Sequence, residues 1–151
     1  MSSAEMIIPL LMGFAPTVGF CLLFHVPFRH IIPVALVGGS GWALYTFCIS
    51  QDTGKVIGCF LAACLVGLLG DICSRTLKEA STIFTIPGIM PLVPGSGMYY
   101  TMLALINGDY TSAAAQGSET LFMAGAIALA LLVIGSIIKI IISLKRKMYS
   151  V

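Results

Sequence analysis

Charge is what this sequence has least of. Of its 151 residues, 9% are charged and 58% are hydrophobic, and the mean hydropathy is +1.04. A soluble domain carries roughly 25% charged residues, so there is too little polar side chain here to cover a soluble globule. The net charge is only +2, and no basic face interleaved with aromatics is present, which excludes a nucleic-acid surface. Enzyme signatures are missing: there is no GxSxG, no HExxH and no glycine-rich phosphate loop ending in Lys. The five cysteines form no CxxC pair and no histidine lies at metal-ligand spacing from two of them, so no metal or cofactor is expected and they read as small packing residues. No positive residue precedes the first apolar run, since the first is Arg29, and a cleaved signal peptide is not expected.

What the chain has in abundance is apolar length. Five segments stand out: roughly Met6 to Val26, Ile31 to Ile49, Val56 to Cys73, Ile83 to Ile106, and Leu121 to Leu144. Each is about long enough to cross a hydrocarbon core as a helix. The expected fold is an all-α integral membrane protein of about five transmembrane helices, with residues 1–151 forming a single membrane domain in the lipid bilayer. The connections are short, the longest being Asn107 to Glu119. Arg29, Arg75, Lys78 and the Lys145-Arg146-Lys147 run fall on one side of a five-span chain. The positive-inside bias then predicts an outside N-terminus and a cytoplasmic C-terminus. Asp109 and Glu119 would be solvated on the outer side. Small residues (Gly38, Gly39 and Gly41; Gly58 and Ala62; Ala63 and Gly67; Gly125 with Ala126, Ala128 and Ala130) predict close helix packing. An odd number of spans suits one half of an inverted-repeat transporter. No second copy of the unit is visible, so the other half would come from another polypeptide, and a higher oligomer fits the same logic.

The fourth segment contains IPGIMPLVPGSG, Ile86 to Gly97. Pro87, Pro91 and Pro94 each remove a backbone donor, while Gly88, Gly95 and Gly97 add backbone freedom. Unpaired backbone groups facing lipid cost several kcal/mol each, so non-helical chain at membrane depth belongs in protein or beside a watery cavity. The expectation is a discontinuous helix, unwound from Pro87 to Gly95. A half-helix would start near Ser96, a residue of N-cap type, and continue through Tyr99 and Tyr100. Its N-terminal end would receive an anionic substrate group. A simple Pro-kinked helix is the alternative. Trp42, Tyr45, Tyr99 and Tyr100 read as interface anchors or cavity walls.

Three titratable residues are candidates for proton or ion coupling. Asp71 lies near the end of the third segment, with Arg75 one turn later. Intramembrane carboxylates mark proton paths, but the same pair also reads as a solvated surface bridge. His25 ends the first segment, and imidazole is the side-chain type suited to sensing protons, although an interfacial histidine is the better explanation of its position.

The stretches APTVGFCLLFHVP (Ala15 to Pro27), LVGLLGDICSR (Leu65 to Arg75) and IPGIMPLVPGSGMYYTML (Ile86 to Leu103) resemble the threonine/serine exporter family, ThrE-type. The likeness is to the short, YjjB-like subunit of its split form. It implies the C-terminal membrane half of an exporter in a bacterial cytoplasmic membrane, with a YjjP-like membrane subunit as partner. It also implies proton-driven export of small carboxylate-bearing metabolites, threonine and serine or a succinate-type dicarboxylate. The competing expectation is a structural or regulatory subunit that stabilises a transporting partner.

Overall fold

The computed structural model describes the backbone of residues 3–148 and the side chains of residues 8–144. Every element among the described residues is helical. The order is α1 (Ser3–Leu23), α2 (Phe28–Ser50), α3 (Lys55–Leu77), α4 (Ser81–Ile89), a single 3-10 turn (Met90–Leu92), α5 (Gly95–Ile106) and α6 (Tyr110–Met148).

The helix ends are set by one recurring backbone device. His25, Asp52, Lys78 and Gly108 have φ of 54°, 53°, 56° and 75°. After each, the next N–H reaches back five residues: Val26 to Cys21 at 2.9 Å, Thr53 to Cys48 at 3.2 Å, Glu79 to Ser74 at 3.0 Å and Asp109 to Ala104 at 2.9 Å. This left-handed closure satisfies carbonyls that the helix leaves free and turns the chain sharply. Short connections therefore force consecutive helices to lie side by side.

Small residues decide how close they come. Gly38 of α2 faces Thr17 of α1, and a methyl there would collide with the Thr17 hydroxyl, which is itself buried and donates to the Gly13 carbonyl at 2.7 Å. Gly41 meets Val66 of α3 in the same way. In lipid, such close approach substitutes for the missing hydrophobic drive. The core centres on α3, with Cys59, Ala62, Ala63 and Val66 packed against Val37, Leu92, Met123, Ile127 and Ala130. The last three share one face of α6 with Ala126. Of the small run expected there, Gly125 and Ala128 point away from the bundle.

Among the described residues, three helices are long and apolar enough to cross a membrane: α2, α3 and α6 over Tyr110–Leu144. The pair Ser81–Leu92 and Gly95–Ile106, bent by 47°, counts as a fourth if taken as one broken span. The described apolar part of α1, Ile8–Leu23, is shorter than these. The structure thus provides three or four candidate spans where the sequence predicts five. The expected loop from Asn107 to Glu119 is a further difference, because α6 already begins at Tyr110. The side chains of Glu5, Lys145, Arg146 and Lys147, which carry part of the charge bias, lie outside the described residues.

A cavity at the broken fourth segment

The break is narrower than its prolines predict. The chain stays helical past Pro87 and Gly88 to Ile89, tightens into the Met90–Leu92 turn around Pro91, and opens only at Val93 and Pro94. Pro87 is tolerated because it and Gly88 are buried, Gly88 lying against Val37 and Val66. At the break, the Gly95 N–H bonds the Val93 carbonyl at 2.7 Å, and the Leu92 carbonyl accepts from the Cys59 thiol at 3.6 Å. Pro94, with no side-chain cap, occupies the N-cap position assigned to Ser96 on sequence grounds. Ser96 and Gly97 fall in the first turn of α5, where backbone N–H groups lack helical partners.

That first turn opens on a cavity of about 500 Å³. Its walls combine Pro91, Pro94, Ser96, Gly97 and Tyr100 from the broken segment with Trp42 and Tyr45 of α2, Lys55 of α3, and Gln116, Glu119 and Thr120 of α6. Gly95 and Tyr99 do not line it, and the position of Gly95 is open on all sides to 4 Å. Gly97 is different: a side chain there would strike the Thr120 hydroxyl. Across the mouth, Lys55 Nζ pairs with Glu119 at 3.0 Å, their side chains 57% and 46% exposed. Glu119 is therefore an ion-paired wall residue, not the free solvated carboxylate expected from its loop position. The indole Nε1 of Trp42 is buried and has no acceptor.

The coupling candidates lie elsewhere. Arg75 Nε donates to Asp71 Oδ2 at 2.5 Å, and Asp71 borders a separate cleft with Thr82 and Thr85. Sixteen residues along α3 separate Asp71 from Lys55, about 24 Å at helical rise. His25 closes α1 in its left-handed conformation and lines a third cleft with Thr82, Ile83 and Pro87. Sequence reasoning missed Lys55, Gln116, Glu119 and Thr120 as wall residues, and nothing local marks Gln116 or Thr120. Lys55 and Glu119 do stand at the first ends of two apolar segments, which is the one signal that could have paired them.

No solved structure matches the chain. An uncharacterized protein of Haemophilus influenzae is 28% identical over 102 residues, which is 68% of this chain and 34% of that protein. The chain thus aligns with about a third of the length of this curated relative. The model of the threonine/serine exporter family, ThrE, matches residues 9–137. The apolar helices make a multi-pass membrane protein, and the match over most of the chain places it in the threonine/serine exporter (ThrE) family.

Proposed function

We propose that this chain is one membrane half of an exporter and that the cavity at the broken segment holds its cargo. The observation that carries this reading is the cavity's chemistry: an opposed Lys55–Glu119 pair beside the first turn of α5. A half-exposed ion pair contributes only about 0–1 kcal/mol, so opening it costs little. A small zwitterion can replace it, with its carboxylate on Lys55 and the free N–H groups of Ser96 and Gly97, and its ammonium on Glu119. A dicarboxylate would set its second charge against Glu119. The geometry therefore favours a threonine- or serine-like cargo over a succinate-like one.

In this reading α1 acts as a fifth span, the N-terminus lies outside and the C-terminus lies in the cytoplasm of a bacterial cell. A YjjP-like membrane subunit supplies the other half of an inverted repeat, and the proton gradient drives export. The test is efflux from cells preloaded with labelled threonine, serine or succinate, expressing this chain, the partner, or both. Efflux of an amino acid only with both present is the expected result. Full efflux per molecule from the partner alone would make this chain a stabilising subunit instead. That second reading has one observation in its favour: among the described residues α5 packs against α6 and no other helix, leaving Met98, Tyr99, Met102 and Ile106 exposed.

A further inference from the structure

At the opposite end of the bundle from the cavity, a buried histidine presents one ring nitrogen to both a guanidinium and a carboxylate. The side chain of His30, near the start of α2, is 3% exposed. Its Nε2 accepts from Arg29 Nε at 2.8 Å, so the single ring proton must sit on Nδ1. Nδ1 is buried and has no partner. The other tautomer would set one N–H against another. Glu79 Oε1 waits 3.3 Å from Nε2 and is already bonded by Arg29 Nη2. The hydrogen bond from Arg29 holds the Glu79 carboxyl below its usual range.

Resting on the exporter reading above, we propose that His30 is the proton-binding residue that couples this chain's transport cycle to pH, acting by an exchange of partners with Arg29 and Glu79. A proton taken from water at this end binds Nε2. The nitrogen then has no lone pair for Arg29 Nε, and that hydrogen bond breaks. The new Nε2–H donates to Glu79 Oε1, and the positive ring now pairs with that carboxylate. Releasing the proton reverses each step.

The movement has a direct mechanical connection to the cavity. Glu79 lies two residues before α4, and its carbonyl accepts from Ser74 Oγ at 2.5 Å. Phe84, one turn into α4 and fully buried, meets the His30 ring edge-on at 5.7 Å. The far end of α4 leads through the 3-10 turn to Pro94 and the cavity wall. A shift of Glu79 and Phe84 is therefore transmitted along one short rigid helix to the break.

The other groups around His30 leave its charge to Glu79. Cys21 of α1 and Cys73 of α3 share the Phe84 cluster as thiols, Lys78 closes α3 beside Glu79, and His25 lines a different cleft. Among the described residues, Glu79 is the one carboxylate within ion-pairing distance of His30.

The test uses the full chain with its partner in vesicles. In His30→Gln, substrate movement driven by a proton gradient should fall about tenfold, inside the usual span of coupling energies. Counterflow of labelled against unlabelled substrate at equal pH should be preserved, because His30 does not line the cavity. Glu79→Gln, which removes the charge that pairs with the protonated ring, should behave alike. Unchanged gradient-driven transport in His30→Gln, or an equal loss of counterflow, overturns the inference alone, whereas absence of any wild-type transport overturns the exporter reading. A second readout needs no transport. The chain has two histidines, so the purified His25→Gln protein carries a single imidazole for nitrogen NMR. A change in the ring's protonation state on pH titration, with a simultaneous shift at Phe84, is expected. A ring that stays in one state throughout the titration overturns the proposal.

Discussion

Gly95 and Gly97 stand two residues apart in opposite surroundings. A side chain at Gly95 enters open space, while one at Gly97 meets Thr120 of α6 at the cavity wall. Gly97→Leu should push α5 off α6 and fill the cavity, abolishing efflux while the protein still inserts; Gly95→Leu should export normally. Equal efflux from the two variants, at matched membrane abundance, would contradict the site's placement. The charge pair gives a second contrast. Lys55→Glu should weaken apparent substrate affinity by about tenfold or more, the worth of a hydrogen bond to a charged group. Adding Glu119→Lys should recover part of that affinity, whereas two unrelated defects would multiply. A third prediction concerns stability. Lys78 holds a left-handed φ of 56° that favours glycine, so Lys78→Gly should raise stability by about 1 kcal/mol, read as a higher thermal midpoint in detergent. The proline and glycine pattern made the broken segment legible, because no helix interior absorbs it without compensation. Which of its residues face the cavity was not legible. That depends on where the helix restarts, and the chain stays helical through Pro87 and resumes at Gly95 because buried neighbours and the Cys59 thiol compensate the lost backbone bonds.

At the scale of elements, the largest departure from the sequence reading is the start of α6. The stretch YTSAAAQGSE is polar enough to pass for a loop, yet its alanines favour helix, and the chain is helical from Tyr110. Asp109 sets that start by accepting from the Ser112 N–H at 3.0 Å. Hydrogen bonds from the Ser112 hydroxyl and backbone hold the Asp109 carboxyl below the ordinary carboxylate range. A depressed folded value contributes stability above the unfolded pKa, near 4, and that contribution is lost as pH falls through the folded value. Asp109→Asn keeps a capping side chain but cannot titrate. It should therefore remove this part of the acid sensitivity while leaving the thermal midpoint near neutral pH close to wild type. A midpoint that falls with acid as steeply in the variant as in wild type would show that the α5–α6 turn does not depend on this charge.

For the whole molecule, the decisive comparison is between helix lengths and membrane thickness. The 23 residues each of α2 and α3 span about 34 Å, matching a hydrocarbon core of about 30 Å. The 39 residues of α6 span about 58 Å and cannot all lie within it. Contacts fix the register: Lys55 at the start of α3 pairs with Glu119, and Gly67 packs on Leu131 and Ile134. Residues from Glu119 onward therefore run alongside α3, while Tyr110 to Ser118 extend past its end. α5 goes with them, because Gly97 meets Thr120 and Thr101 meets Gly117. The α5–α6 hairpin thus projects beyond the bundle at the cavity end, apolar face exposed, and the cavity sits at its base. An arginine scan reads this depth directly. Leu129 is exposed on α6 beside the middle of α3, and Leu129→Arg should cost insertion about 2.5–3.5 kcal/mol, the charge of a residue at mid-membrane on the biological scale. Ile106, at the tip of the hairpin and 75% exposed, should accept Arg with little effect on insertion. Efflux with the partner present would then tell whether the tip is needed for assembly. Equal insertion penalties at the two positions would put the hairpin inside the hydrocarbon, and the cavity mouth would then open within the membrane and not at its surface.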